Sequence, residues 1–178
     1  MCTTERDRDH CAIVPGGSEG IVLATSRALV ANGVYVFMLG RDAAKLQAAV
    51  EETDPTVAEQ LVPFTGDVTD ASIRQELVAA TVERFGGPDI LLNNAGGGSE
   101  NRFLEDIDQV DFQQVMALNL DSSFDLCRLV VPYMKARKGG IPQTISGAPA
   151  SEVMIAALYP KTETAPSVGA VCFTYEAI

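Results

Sequence analysis

A doubly wound α/β fold built on a parallel sheet is predicted by three observations. Short apolar runs at 11–15, 34–39, 61–65, 89–92 and 141–146 alternate with stretches of helical periodicity. The run 34–39 is apolar throughout, as expected of a parallel strand covered on both faces. The first run ends in Pro15-Gly16-Gly17-Ser18-Glu19-Gly20, a glycine turn at a strand-to-helix hand-over. Such a turn sets free backbone N–H groups and the positive end of a helix dipole beside a crevice, an arrangement that suits a phosphate.

Each element has its own signals. Residues 1–10 are too charged and irregular for an element and are expected to be a loose tail, with 11–178 forming one domain. Pro15 is tolerable in the first strand because it closes it. A helix is expected over 18–32, with Ser18 as N-cap, Ile21, Ala24, Ala28 and Leu29 at helical spacing, and Gly33 as its stop. Asp42 caps the next helix over 43–52, and residues 53–60 connect to the third strand. Asp70 caps a helix to about Phe85, which Gly86-Gly87-Pro88 breaks. After the fourth strand comes the loop Asn93-Asn94-Ala95-Gly96-Gly97-Gly98. A long helical stretch over 110–137 is expected to break or bend near 119–122, with Pro132 in its last turns. Gly139-Gly140 ends it before an irregular fifth strand.

Composition narrows the function classes. The chain has 178 residues, 47% hydrophobic and 21% charged, enough for one real core. A formal net charge of −11 argues against nucleic acid as a partner. No apolar run approaches ~20 residues, and the charged N-terminal segment does not suit a signal peptide; no membrane partner and a cytoplasmic location are the expectations. Cys2, Cys11, Cys127 and Cys172 are scattered and read as reduced thiols, and with His10 the single histidine no metal centre is expected.

Taken in order, the glycine loop, Gly66-Asp67-Val68 after the third strand, Asn93-Asn94-Ala95-Gly96 after the fourth, and Leu118-Asn119-Leu120 resemble the short-chain dehydrogenase/reductase superfamily. The stretch Ser123-Phe124, Cys127-Arg128 and Pro132-Tyr133-Met134 adds to the likeness. The resemblance runs in register from about Cys11 to Ser146 and implies a Rossmann-like domain binding NAD or NADP. It implies that Gly16, Ser18, Gly20 and Ile21 hold the pyrophosphate, that Asp67 and Val68 meet the adenine, and that Asn94, Ala95 and Gly96 line the ribose and nicotinamide side. Asn94 also suits a plain strand-end turn. Arg41 follows the second strand, where an Arg fork fits a 2′-phosphate, and Gly40 stands where NAD-preferring relatives carry an acid. Both favour NADP over NAD. Glu19 opposes this, because relatives often carry Arg there and a carboxylate repels a phosphate. Pro15 and Val22 depart from the usual Thr and Gly, and Val22 is expected to crowd the helix against the sheet.

The family's chemistry is hydride transfer between the nicotinamide and a small-molecule carbonyl or alcohol. A Tyr acts as acid or base, a Lys lowers its pKa, a Ser orients the substrate, and an Asn serves the proton relay. The resemblance assigns these roles to Tyr159, Lys161, Ser146 and Asn119. Ser146 lies thirteen positions before Tyr159, a family spacing, though matching strand to strand brings Gly147 to the serine position. Tyr and Lys should be four apart, because four residues turn through about 400° and share a helix face. Here Pro160 and Lys161 follow Tyr159 directly, and Glu163 occupies the fourth position, where a carboxylate raises a phenol pKa. A second register puts Glu163 and Ser167 at the two positions and loses both groups. Three readings follow: an NADP-dependent oxidoreductase, a cofactor- or partner-binding protein without turnover, and a truncated product without independent function. Relatives carry two further strands and a substrate-covering loop, so the sheet is expected to be incomplete on its C-terminal side. A homo-oligomer is expected, because the stretch 110–137 resembles the helix through which relatives pair and an open fifth strand invites pairing.

Overall fold

The computed structural model describes residues 9–98, 103–136 and 141–144. Five parallel strands form one sheet in the order β3-β2-β1-β4-β5: β1 (His10–Pro15), β2 (Val34–Gly40), β3 (Leu61–Thr65), β4 (Ile90–Asn93) and β5 (Ile141–Thr144). The helices are α1 (Gly20–Ala31), α2 (Ala43–Glu51), α3 (Ala71–Phe85), α4 (Gln109–Met116) and α5 (Ser122–Ala136). The order reverses at β1, which pairs with β2 along one edge, from His10↔Val34 to Pro15↔Leu39, and with β4 along the other.

The period of two along β1 divides the core. Cys11 and Ile13 face one way, and with Phe37, Leu39 and Leu91 they pack against Leu77 and Val78 of α3 and Leu126, Val130 and Met134 of α5. Ala12 and Val14 face the other way, and with Val36, Met38 and Leu92 they meet Val22 and Val30 of α1 and Leu46 and Ala49 of α2. Both faces of β1 are therefore dry, which explains its unbroken apolar run.

Several boundaries differ from expectation. His10 opens β1 rather than ending a tail, with its ring Nδ1 3.5 Å from Asp89 Oδ2. Ser18 is not the cap of α1: the N-cap position is Glu19, whose side chain makes no capping hydrogen bond. By contrast Asp42, Asp70 and Asp108 cap α2, α3 and α4 with carboxylate-to-backbone bonds. Val22 is accommodated as a buried residue of the core between α1 and the sheet. The expected bend in the long helix is a π-helical turn, Ala117–Asp121, joining α4 to α5.

A charged cluster ties the elements on one face together. Arg74 of α3, nearly buried, donates from Nε to Asp125 Oδ2 of α5 at 2.8 Å and from Nη1 to the Val68 carbonyl at 2.7 Å. Arg128 Nη2 binds the other oxygen of Asp125 at 2.6 Å. Burial pushes the Asp125 carboxyl up, but the hydrogen bonds and charges of the two arginines outweigh it and hold the group below its ordinary value.

Arg74→Met is expected to cost about 1.5–3 kcal/mol in urea unfolding, because it removes a charged hydrogen bond and orphans the Val68 carbonyl. The carboxyl's pKa is lower in the folded chain, so its contribution is present above the unfolded value of ~3.9 and is lost as pH falls through the folded value. The stability gap between the native chain and Asp125→Asn is therefore expected to hold from neutral pH to about 5 and to close below ~4. A gap that persists unchanged into strong acid contradicts this.

Candidate functional site

Helices leaving β1 and β4 cover opposite faces of the sheet, so a crevice opens at the carboxyl ends of these strands, the usual ligand position in such sheets. A cleft of about 180 Å³ lies there, between the loops after β1, β2, β3 and β4 and the π turn. Seven of the residues expected to bind a dinucleotide line it: Gly16, Ser18, Arg41, Asp67, Val68, Ala95 and Gly96. Gly20, Ile21 and Asn94 are not in the lining; Ile21 is exposed in the first turn of α1 and Asn94 is half-buried. Leu39, Gly40, Gly66 and Leu118 complete the wall. Leu118, which enters the sequence reading only as a neighbour of Asn119, reaches the lining from the π turn. The expected catalytic residues Ser146, Tyr159 and Lys161 lie outside the described residues.

The loop after β1 has two features that suit an anion. Gly16 has φ +78°, and a Cβ there would lie 3.2 Å from Ala95 Cα, so a side chain would wedge the two walls apart. The Gly16 N–H is committed to the Leu39 carbonyl at 2.8 Å, which continues the β1–β2 ladder past Pro15. The donors for a ligand are therefore those further on. The first helical bond of α1 runs from Leu23 N–H to the Glu19 carbonyl, and no side chain caps the N–H groups before it. Among the α-helices whose N-caps are described, α1 alone lacks a capping side chain, and its N-cap residue directly follows Ser18 of the cleft lining. A glycine cradle with uncapped donors at the positive end of a helix fits a diphosphate.

The next wall of the cleft is set by the ends of β2 and β3. Gly40 leaves the corner open: a Cβ there would press on Leu46 Cδ2 at 3.3 Å. Arg41 is exposed and lines the cleft. Asp67 accepts from Thr69 N at 2.8 Å and from its hydroxyl at 2.7 Å. The backbone bond from Thr69 lowers the Asp67 pKa most, burial opposes it, and the Thr69 hydroxyl and the Arg41 charge lower it further. Val68 is held through its carbonyl by Arg74. The walls thus carry a cation for a phosphate and an acceptor beside an apolar side chain for a base.

The loop after β4 is pinned by Asn119 in the π turn. Asn119 Nδ2 donates to the Gly97 carbonyl at 2.7 Å and to the Val115 carbonyl at 2.8 Å, and its Oδ1 accepts from Gly97 N at 3.1 Å. Both amide protons are thus occupied by backbone. A Cβ on Gly96 would lie 2.8 Å from Asn119 Oδ1, so this loop and the carboxamide fit only with glycine there. Asn93, just before, is buried and donates to Cys127 Sγ at 3.4 Å, joining the end of β4 to α5. Burial pushes the Cys127 thiol up, against a smaller opposite effect of that hydrogen bond. No cluster that could hold a metal exists among the described residues, nor a helix long and apolar enough to cross a membrane.

This fold and cleft agree with what the chain is similar to. A family model described as short chain dehydrogenase matches residues 10–164. The chain belongs to the short-chain dehydrogenase family. L-fucose dehydrogenase of Mus musculus is 33% identical over 141 residues, covering 79% of this chain and 50% of that protein. A metagenomic short-chain oxidoreductase solved in complex with NADP superposes with a TM-score of 0.71 at 28% identity, covering 80% of this chain and 64% of that one. An NADH-dependent reductase complexed with NAD gives a TM-score of 0.67 at 28% identity, covering 82% and 62%. The chain spans about half the length of the curated relatives it matches.

Asn119→Ala is expected to release Gly97 from two backbone contacts. The expected cost is about 1–2 kcal/mol of unfolding free energy, with faster amide exchange at Gly97. Unchanged exchange at Gly97 would show that the loop is held without the carboxamide.

Proposed function

We propose that this chain carries the dinucleotide-binding part of a nicotinamide-dependent oxidoreductase acting on a small-molecule carbonyl or alcohol, and that it takes NADP in preference to NAD. The observation that carries the reading is the cleft at the ends of β1 and β4, lined by Gly16 and Ser18 of the loop that leads into the uncapped start of α1 and by Arg41 beside Gly40. When bound, the nicotinamide supplies or accepts the hydride. The chain's own residues bind and orient it. The glycine loop with Ser18, Gly20 and Ile21 offers N–H groups to the pyrophosphate. Arg41 answers a 2′-phosphate with a charge-assisted, two-pronged contact. Asp67 and Val68 flank the adenine, while Asn94, Ala95 and Gly96 form the ribose and nicotinamide wall. Asn119 acts as a positioning residue for that wall, since its amide protons are already in use.

A second reading, binding without turnover, is favoured by one sequence feature: Glu163 stands four residues after Tyr159, where the family's lysine belongs. General acid–base catalysis contributes about 10²–10⁴-fold, so a phenol without its cation predicts carbonyl reduction slower by that order. Turnover of a carbonyl panel with NADPH, in this chain and in Tyr159→Phe, separates the two readings. Rates of ~1–10³ per second that vanish in Tyr159→Phe would exclude the second.

Cofactor choice is tested by titrating NADPH and NADH against the chain and Arg41→Ala. The substitution is expected to weaken NADPH by about 1.5–3 kcal/mol and leave NADH nearly unchanged. Equal loss for both would show that Arg41 does not read the 2′-phosphate.

A further inference from the structure

Glu19 and Lys45 are both in electrostatically odd places. Glu19 occupies the N-cap position of α1, where a carboxylate would normally bond the free N–H groups and gain from the helix dipole. It does neither. Lys45 lies in the first turn of α2, a cation at the positive end of that helix. The two side chains meet as an ion pair, Lys45 Nζ to Glu19 Oε1, bridging the glycine loop to α2. Both are more than half exposed, so the pair contributes little to stability. Its consequence is local. The Glu19 carboxylate is engaged by Lys45 and makes no bond to the α1 donors, and the pair sets a cation against a negative charge next to Ser18 of the cleft lining.

We propose that Lys45 is a specificity-determining positioning residue: by holding Glu19 in an ion pair it keeps the α1 N-terminus open for a pyrophosphate and removes the carboxylate charge that would repel a 2′-phosphate. This rests on the reading of the cleft as an NADP site. Without Lys45, the Glu19 carboxylate is free to cap α1 and competes for the donors a diphosphate needs. Both dinucleotides then weaken, and NADPH weakens more, because it carries the additional phosphate dianion. Glu19→Gln in the same chain removes the competing charge and restores binding. The unliganded chain, in contrast, gains a capped helix and loses an ill-placed cation, so its own stability does not fall.

The test is a cycle of the native chain, Lys45→Met, Glu19→Gln and the double variant, read by NADPH and NADH binding and by the melting temperature of the unliganded chains. Lys45→Met is expected to weaken NADPH about tenfold and NADH about threefold, the scale of one or two screened charge contacts. The double variant is expected to bind NADPH within about twofold of the native chain, and the Lys45→Met defect to shrink at ~1 M salt, where the screening length falls to ~3 Å. The unliganded melting temperature is expected to hold or rise in Lys45→Met. If it falls together with affinity, the pair is structural and the proposal is overturned. If Lys45→Met binds NADPH normally while Arg41→Ala still loses it selectively, the proposal fails and the cofactor reading stands. If the native chain binds neither dinucleotide, both fail.

Discussion

Everything in this molecule depends on β1 being a central strand that is dry on both faces and paired on both edges. Five consecutive residues from Cys11 to Pro15 are buried, so helices must cover both faces of the sheet. The connection through α1 carries the chain to β2 on one side, and β4 arrives on the other. Where the two directions part, no helix can fill the space above the strand ends. The crevice is therefore a topological necessity, and the sequence after β1 is adapted to it: Gly16 lets the wall approach Ala95, and α1 starts without a capping side chain.

The walls of that crevice are held from behind by long-range polar contacts. Arg74 grips the carbonyl of Val68 and the carboxylate of Asp125, so the loop after β3 is fixed to α5. Asn119 clamps Gly97, which fixes the loop after β4 to the π turn. Asn93 ties the end of β4 to Cys127. α5 and the turn before it thus brace the cleft walls after β3 and after β4. Lys45 of α2 meets Glu19 of the glycine loop in an exposed ion pair.

The sequence made the sheet and its alternation legible because they leave periodic marks. Asp42 and Asp70 announce their helices, Gly33 ends α1, and a polar Asn119 inside an apolar helical pattern marks the π turn. The seven cleft residues were legible through the family resemblance, whose motifs each sit just after a strand. What was not legible are the contacts between side chains far apart in sequence. Arg74 and Asp125 are 51 residues apart, and Asn119 and Gly97 are 22 apart; neither pair makes a local pattern. The start of α1 was misread for a related reason. Ser18 has the right chemistry for a cap, but the helix starts one residue later, with the Glu19 carboxylate drawn away to Lys45. Glu19, taken alone in the sequence, argues against a phosphate; its pairing with Lys45 leaves no mark in the sequence.

The central claim is that a dinucleotide sits in the crevice with its diphosphate on the uncapped start of α1. The most direct measurement is the backbone amide spectrum of the chain during an NADPH titration. The account predicts saturable shifts at Gly17, Ser18, Gly20 and Ile21, together with Asp67, Val68, Ala95 and Gly96, while amides at the amino ends of β1 and β4 stay still. Saturable binding that leaves the Gly17–Ile21 amides unmoved, or that shifts residues at the opposite end of the sheet, would contradict it.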